Sequence, residues 1–164
     1  MSPGEKIKQE MLQEFGHAYQ AFGLNKLMGF VVALLIFSSE PLSLDEITEQ
    51  LGMSKGPISQ ITRRLLDHNL IRRVWKPGER KNYFEIQPEI FGSAFRNNFE
   101  LIKNNLRIAR QLKKEVEAAN DPSLQTLHVR LKEMETFYDL MCRHFQSFLE
   151  EWKKEREKIY QDHA

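Results

Sequence analysis

The chain has 164 residues, 41% of them hydrophobic and 29% charged, with a net charge of +1. That is the makeup of a folded, helix-rich protein of one compact domain plus an extension. A single cysteine, Cys142, excludes an internal disulfide; the longest apolar run, Phe30 to Phe37, is far short of the ~20 residues that cross a bilayer; and Met1 to Glu10 mixes both charge signs, unlike a signal peptide, so a cytoplasmic protein without a membrane partner is expected.

In chain order, Ile7, Met11, Phe15, Ala18 and Phe22 recur every three or four residues and predict a first helix from about Glu5 to Phe22, stopped by Gly23. Asn25 to about Ser38 is apolar on nearly all sides, which predicts a central, buried helix ending before Glu40-Pro41. Ser43-Leu44-Asp45-Glu46 is a capping box that starts a short third helix, with Ile47 and Leu51 inward and Gly52 at its end. Ser54 is placed to cap a fourth helix that tolerates Pro57 in its first turn and buries Ile58, Ile61 and Leu65. The period then changes. Leu70 to Trp75 and Asn82 to Ile86 are rich in β-branched and aromatic residues and flank Lys76-Pro77-Gly78-Glu79-Arg80-Lys81, which predicts a β-hairpin with a basic tip. From Pro88 a long helix to about Ala119 carries Ile90, Phe91, Phe95, Phe99, Ile102, Leu106 and Leu112 as one stripe. Asp121 and Pro122 then cap a last helix with Leu124, Leu127, Leu131, Met134, Tyr138, Met141, Phe145, Phe148 and Trp152 as a packing seam.

The charge is confined. Residues 1–53 hold 3 Lys/Arg against 7 Asp/Glu, and residues 87–164 hold 13 of each, whereas residues 54–86 hold 8 basic residues against 3 acidic ones. A local excess of this kind suits a polyanion. It falls where two short helices joined by a tight turn are followed by a hairpin, the helix-turn-helix frame whose second helix enters the major groove. The face opposite Ile58, Ile61 and Leu65 offers Lys55, Ser59, Gln60, Thr62, Arg63 and Arg64 as donors, and Gly56 leaves room for close backbone approach. Ser59, Gln60, Arg63 and Arg64 are expected to read base edges, Arg72 and Lys76 to position phosphates, and Arg80 and Lys81 to reach a neighbouring minor groove or its phosphates.

The runs Leu44-Asp45-Glu46-Ile47, Leu51 to Gly56 with Ile58-Ser59, and above all Arg72 to Tyr83 resemble the GbsR-like branch of the MarR superfamily, over roughly Gly23 to Ile86. The resemblance implies a winged-helix homodimer that binds an operator in double-stranded DNA, usually as a repressor. Some members of that branch sense choline or glycine betaine. No ligand-binding residues match, so effector identity does not carry over.

The expected architecture is therefore mainly α with a small antiparallel β-hairpin wing: an N-terminal helix over 1–23 contributing to a dimer, a winged helix-turn-helix over 24–87, and a helical dimerisation and effector region over 88–164. A two-fold dimer sets two recognition helices ~34 Å apart and so predicts a palindromic site. Phe137, Tyr138, Phe145, Phe148 and Trp152 are candidates for an aromatic cage around a quaternary ammonium, or for ordinary core. The chain carries no C-x-x-C, H-E-x-x-H or Gly-rich phosphate loop, and His17, His68, His128, His144 and His163 are scattered, so neither catalysis, a metal nor a cofactor is expected. The alternative is a helical adaptor whose winged helix binds another protein.

Overall fold

The computed structural model describes residues 1–162, so His163 lies outside the described residues. Two compact units emerge, one up to Ser93 and one from Ala94 onward. The first comprises α1 (Pro3–Ala21), α2 (Lys26–Phe37), β1 (Leu42–Ser43), α3 (Leu44–Leu51), α4 (Lys55–Asp67), β2 (Ile71–Val74), β3 (Tyr83–Ile86) and the start of α5 (Ile90–Ala119). The second holds the rest of α5, a 3-10 turn (Pro122–Leu124) and α6 (Gln125–Gln161). The fold is that of a mainly helical winged helix with a small antiparallel sheet.

The apolar character of α2 makes it the centre of the first unit. Met28 and Val31 to Leu35 are buried, and α1, α3, α4 and β3 all pack against it. The sheet has the order β1-β3-β2, antiparallel throughout, with Arg72 opposite Glu85, Val74 opposite Tyr83 and Leu42 opposite Phe84. β1 was not anticipated. Its two residues are too few to show alternation, and Ser43 serves at once as strand end and as the extended N-cap of α3.

The buried face of α1 is narrow. Leu12 and Gly16 are buried, whereas Ile7 and Ala18 are exposed and Phe22 is 84% exposed. The cause is a close helix crossing at two glycines. A Cβ on Gly29 would lie 2.3 Å from the Phe15 carbonyl oxygen, and one on Gly16 would lie 2.4 Å from Phe30 Cε1. The missing side chain of Gly29 lets α2 meet the backbone of α1, and that of Gly16 makes room for the Phe30 ring.

In the second unit Asn120, at φ 46°, reverses the chain. Asp121 Oδ1 accepts from Ser123 N at 2.8 Å, so the expected cap opens the 3-10 turn rather than the α-helix itself. Leu106, Ala109 and Leu131 form the buried part of this helix pair, flanked by Arg110 to Asp139 at 2.9 Å and Arg110 to Glu135 at 3.3 Å. Phe91 and Leu112 of the α5 stripe are exposed. Leu127 and Phe148 of the α6 seam are also exposed.

Gly29→Ala is expected to destabilise the protein by about 1–3 kcal/mol, since the neighbouring backbone must move. Gly56→Ala, whose added methyl meets nothing within 4 Å, should instead gain up to ~1 kcal/mol from helix propensity. Urea denaturation of the two variants checks both signs.

Candidate nucleic-acid interface

The presentation of α4 begins with α3. Ser43 N donates to Glu46 Oε2 at 2.7 Å, and Glu46 N donates back to Ser43 Oγ at 3.3 Å, so the capping box fixes where α3 starts. Gly52, at φ 62°, ends α3 in the left-handed conformation, and α4 begins three residues later. Ser54 is the N-cap of α4, but its side chain makes no capping hydrogen bond. The orphan amides of this helix start are therefore not closed off by the expected hydroxyl.

Ile58, Ile61 and Leu65 are buried and attach α4 to its scaffold. At roughly 100° per residue, Gly56, Ser59, Gln60 and Arg63 then fall on the opposite arc. Gly56, Gln60, Arg63 and Arg64 are exposed and Ser59 is half-buried. Thr62 is not part of this face. It is only 3% exposed, and its hydroxyl donates to the Ile58 carbonyl at 2.7 Å, as a threonine on the helix's inner side does. Arg64 occupies the last turn of α4, where a cation complements the helix dipole.

The wing is built by a tight turn. Glu79 N donates to the Lys76 carbonyl at 3.1 Å, with Pro77 next and Gly78 at φ 81°, the geometry of a type II turn. Arg80 and Lys81 lie on the return limb just past the turn, and Arg80 is exposed. Arg72 Nε donates to Glu85 Oε1 at 2.6 Å, directly across the β2–β3 ladder. Lys76 Nζ sits 4.1 Å from the centre of the Tyr83 ring, and 3.5 Å from the Pro41 carbonyl oxygen.

One carboxylate interrupts the cations. Asp45 Oδ1 accepts from Lys55 Nζ at 2.8 Å, and Asp45 Oδ2 lies 3.3 Å from Lys81 Nζ. The hydrogen bonds from Lys55 and then Lys81 hold the Asp45 carboxyl below its usual range, and the same pairing raises Lys81. Arg63, Arg64, Arg73 and Arg80 have no acidic partner among the described residues. Sequence reasoning passed over three residues of this region: Asp45, whose partners lie 10 and 36 positions away; Arg73, exposed and unpaired; and Trp75, 76% exposed at the base of the wing.

Of the five candidate cage residues, four fall into two sets. Phe145 and Phe148 pack on Phe95 with ring centres 4.5 and 4.7 Å away, while Phe137 meets Tyr138 edge-on at 5.3 Å. Trp152 Nε1 is buried without a hydrogen-bond partner among the described residues. Among these residues there is also no group of three or more His, Cys, Asp or Glu able to hold a metal ion, and no helix is long and apolar enough to cross a membrane.

A capped helix pair, a wing and an outward row of donors define a winged helix-turn-helix. The MarR family model matches residues 30–83, α2 to the start of β3. The HTH-type transcriptional repressor OpcR of Bacillus subtilis (strain 168) is 25% identical over 158 residues, spanning 88% of this chain and 85% of that protein. The repressor GbsR of the same organism is 25% identical over 95 residues, 58% of this chain and 51% of that protein. A crystal structure of a transcriptional regulator, 22% identical, shares the fold with a TM-score of 0.75 over 90% of this chain and 99% of that one. Over residues 30–83 the winged helix of this chain is thus similar to that of the MarR family.

Because Ser43 and Glu46 set the start of α3, their bond is testable. The Ser43 amide, and after it the Ser43 hydroxyl, hold the Glu46 carboxyl below its usual range. Its contribution is thus complete above the pKa of an unfolded glutamate, ~4.3, and is lost as the pH falls through the lower folded value. Ser43→Ala should cost about 1 kcal/mol near neutrality. Urea melts should show the gap to the unmodified protein narrowing in acid.

Proposed function

We propose that the protein is a homodimeric repressor that binds a palindromic operator through α4 and the wing. The observation that carries this reading is the exposed arc of α4, where Gly56, Ser59, Gln60 and Arg63 stand opposite the buried Ile58, Ile61 and Leu65, with Arg63 free of acidic partners among the described residues. Gln60 presents a donor and an acceptor side by side, and Arg63 a fork of two donors, for base edges, with Ser59 and Arg64 beside them. Lys55, Arg72, Lys76 and Lys81 fix the register on phosphates, and Arg80 enters the adjacent minor groove. The repressor role is supported by the similarity to OpcR and GbsR, which are named repressors.

Two-fold association is supported by apolar side chains left uncovered in each unit. Ile7 and Phe22 stand exposed on α1. Val129, Phe137 and Leu140 line one shallow apolar groove on α6. A second copy of the chain would bury both sets, and closed two-fold pairing then makes the DNA site palindromic. A small-molecule effector held by the five aromatic residues is not part of this reading, since Phe145 and Phe148 already pack on Phe95.

Genomic fragments retained by the protein supply the operator for gel shifts. Arg63→Ala should cost ~1–3 kcal/mol on the operator and relax its specificity, while Arg80→Ala should weaken binding to all duplexes alike. If neither variant changed DNA affinity, the interface would lie elsewhere. Sedimentation at micromolar concentration should give the mass of a dimer; a monomer would remove the palindrome with it.

A further inference from the structure

Resting on the reading as a DNA-binding regulator, we infer that Asp45 is a specificity-determining residue: its carboxylate ties down Lys55 and Lys81 and so limits sequence-independent binding to the phosphate backbone. Asp45 is in the first turn of α3, Lys55 is the first residue of α4, and Lys81 lies on the return limb of the wing. One carboxylate oxygen serves each lysine, at 2.8 and 3.3 Å. Two of the three elements that meet at this point, α4 and the wing, are those that form the proposed DNA face.

The contact is poorly explained as a device for stability. All three side chains are at least half exposed, and exposed ion pairs contribute little. Nor is Asp45 needed to cap α3, because Ser43 and Glu46 already close the box. What the carboxylate does change is the behaviour of two cations. A free lysine is a flexible point charge that can follow a phosphate in any register. Held on Asp45, each ammonium is confined to one place, with its remaining protons available only there. A duplex seated by Gln60 and Arg63 meets both points; a duplex in an arbitrary register must either pull the lysines away or lie against an uncompensated carboxylate. Sequence-independent binding depends on phosphate contacts almost entirely, so it suffers most.

Asp45→Asn removes the negative charge and keeps the shape. The comparison is Glu49→Gln, which makes the same charge change on an exposed residue of the same helix. Binding to a random-sequence 30-base-pair duplex is followed by fluorescence anisotropy across a potassium chloride series, and retention on immobilised heparin is measured in parallel. For Asp45→Asn we expect tighter binding to the random duplex, a salt slope steeper than that of Glu49→Gln by about 0.9 for each released lysine, and later elution from heparin. Adding Lys81→Met to Asp45→Asn should take back about one lysine's share of the slope. Equal slopes and equal elution for Asp45→Asn and Glu49→Gln would overturn the inference, as would weaker binding by Asp45→Asn with an unchanged unfolding midpoint. Failure of the regulator reading looks different: the unmodified protein would retain no genomic fragment and Arg63→Ala would change nothing, whereas the heparin comparison would still decide the role of Asp45.

Discussion

The winged helix is organised around a helix with no polar side. Val31, Val32 and Leu34 of α2, with Ile47 of α3, Ile58 and Leu65 of α4 and Ile71 of β2, are the largest fully buried side chains, so several elements share one core. Each such side chain gains roughly 1.5–3 kcal/mol from burial, against 0–1 kcal/mol for an exposed ion pair. The core therefore decides how α4 is rolled on α2. Once Ile58, Ile61 and Leu65 are inside, the direction of Gly56, Gln60 and Arg63 follows from helix geometry. The outward charges did not have to be chosen for stability.

Orientation along the other axes comes from backbone devices rather than from burial. The Ser43–Glu46 box fixes the start of α3, and Gly52 turns the chain toward α4. After α4, Asn69 at φ 55° begins the passage into β2, and its Oδ1 accepts from Gln87 Nε2 at 2.7 Å, joining the start of the hairpin to its end. The Lys76–Glu79 turn then sets how far the wing projects. Each device takes a residue type with a specific ability, a left-handed backbone or a side-chain acceptor, at one position.

This division explains which features were legible in the sequence. The capping box, Gly52, the Pro-Gly turn and the all-apolar α2 are local signals, and each appears where it was read. Features that depend on what lies across space were not legible. Periodicity marked Ile7, Met11, Phe15, Ala18 and Phe22 as one repeat on α1, but that Leu12 is the side chain buried beside the Gly16–Gly29 crossing could not be read from it, since a glycine contributes nothing to an apolar count. Thr62 is a polar residue by type, yet a hydroxyl that can bond to the helix's own carbonyl is at home inside. Nothing near Lys55 or Lys81 in the chain announces Asp45. The aromatic residues of α6 read as neighbours because they share a helix, while Phe95, on another helix, takes up two of them.

The pairing of charges on the proposed DNA face is not random with respect to residue type. Lys55 and Lys81 are held by Asp45, and Lys76 by the Tyr83 ring, whereas Arg63, Arg64, Arg73 and Arg80 have no acidic partner among the described residues. Arg72 departs from the pattern for a reason of register, since the antiparallel ladder sets Glu85 directly opposite. A guanidinium is planar and offers a fixed fork of donors, so it recognises a base edge or a phosphate without being tied in place beforehand. An ammonium has no such preferred direction, and only a neighbour can supply one. Restraining the lysines while leaving the arginines open gives a face on which every cation has a defined direction, from its own geometry or from a partner. Such a face discriminates between a duplex in register and one that is merely charged.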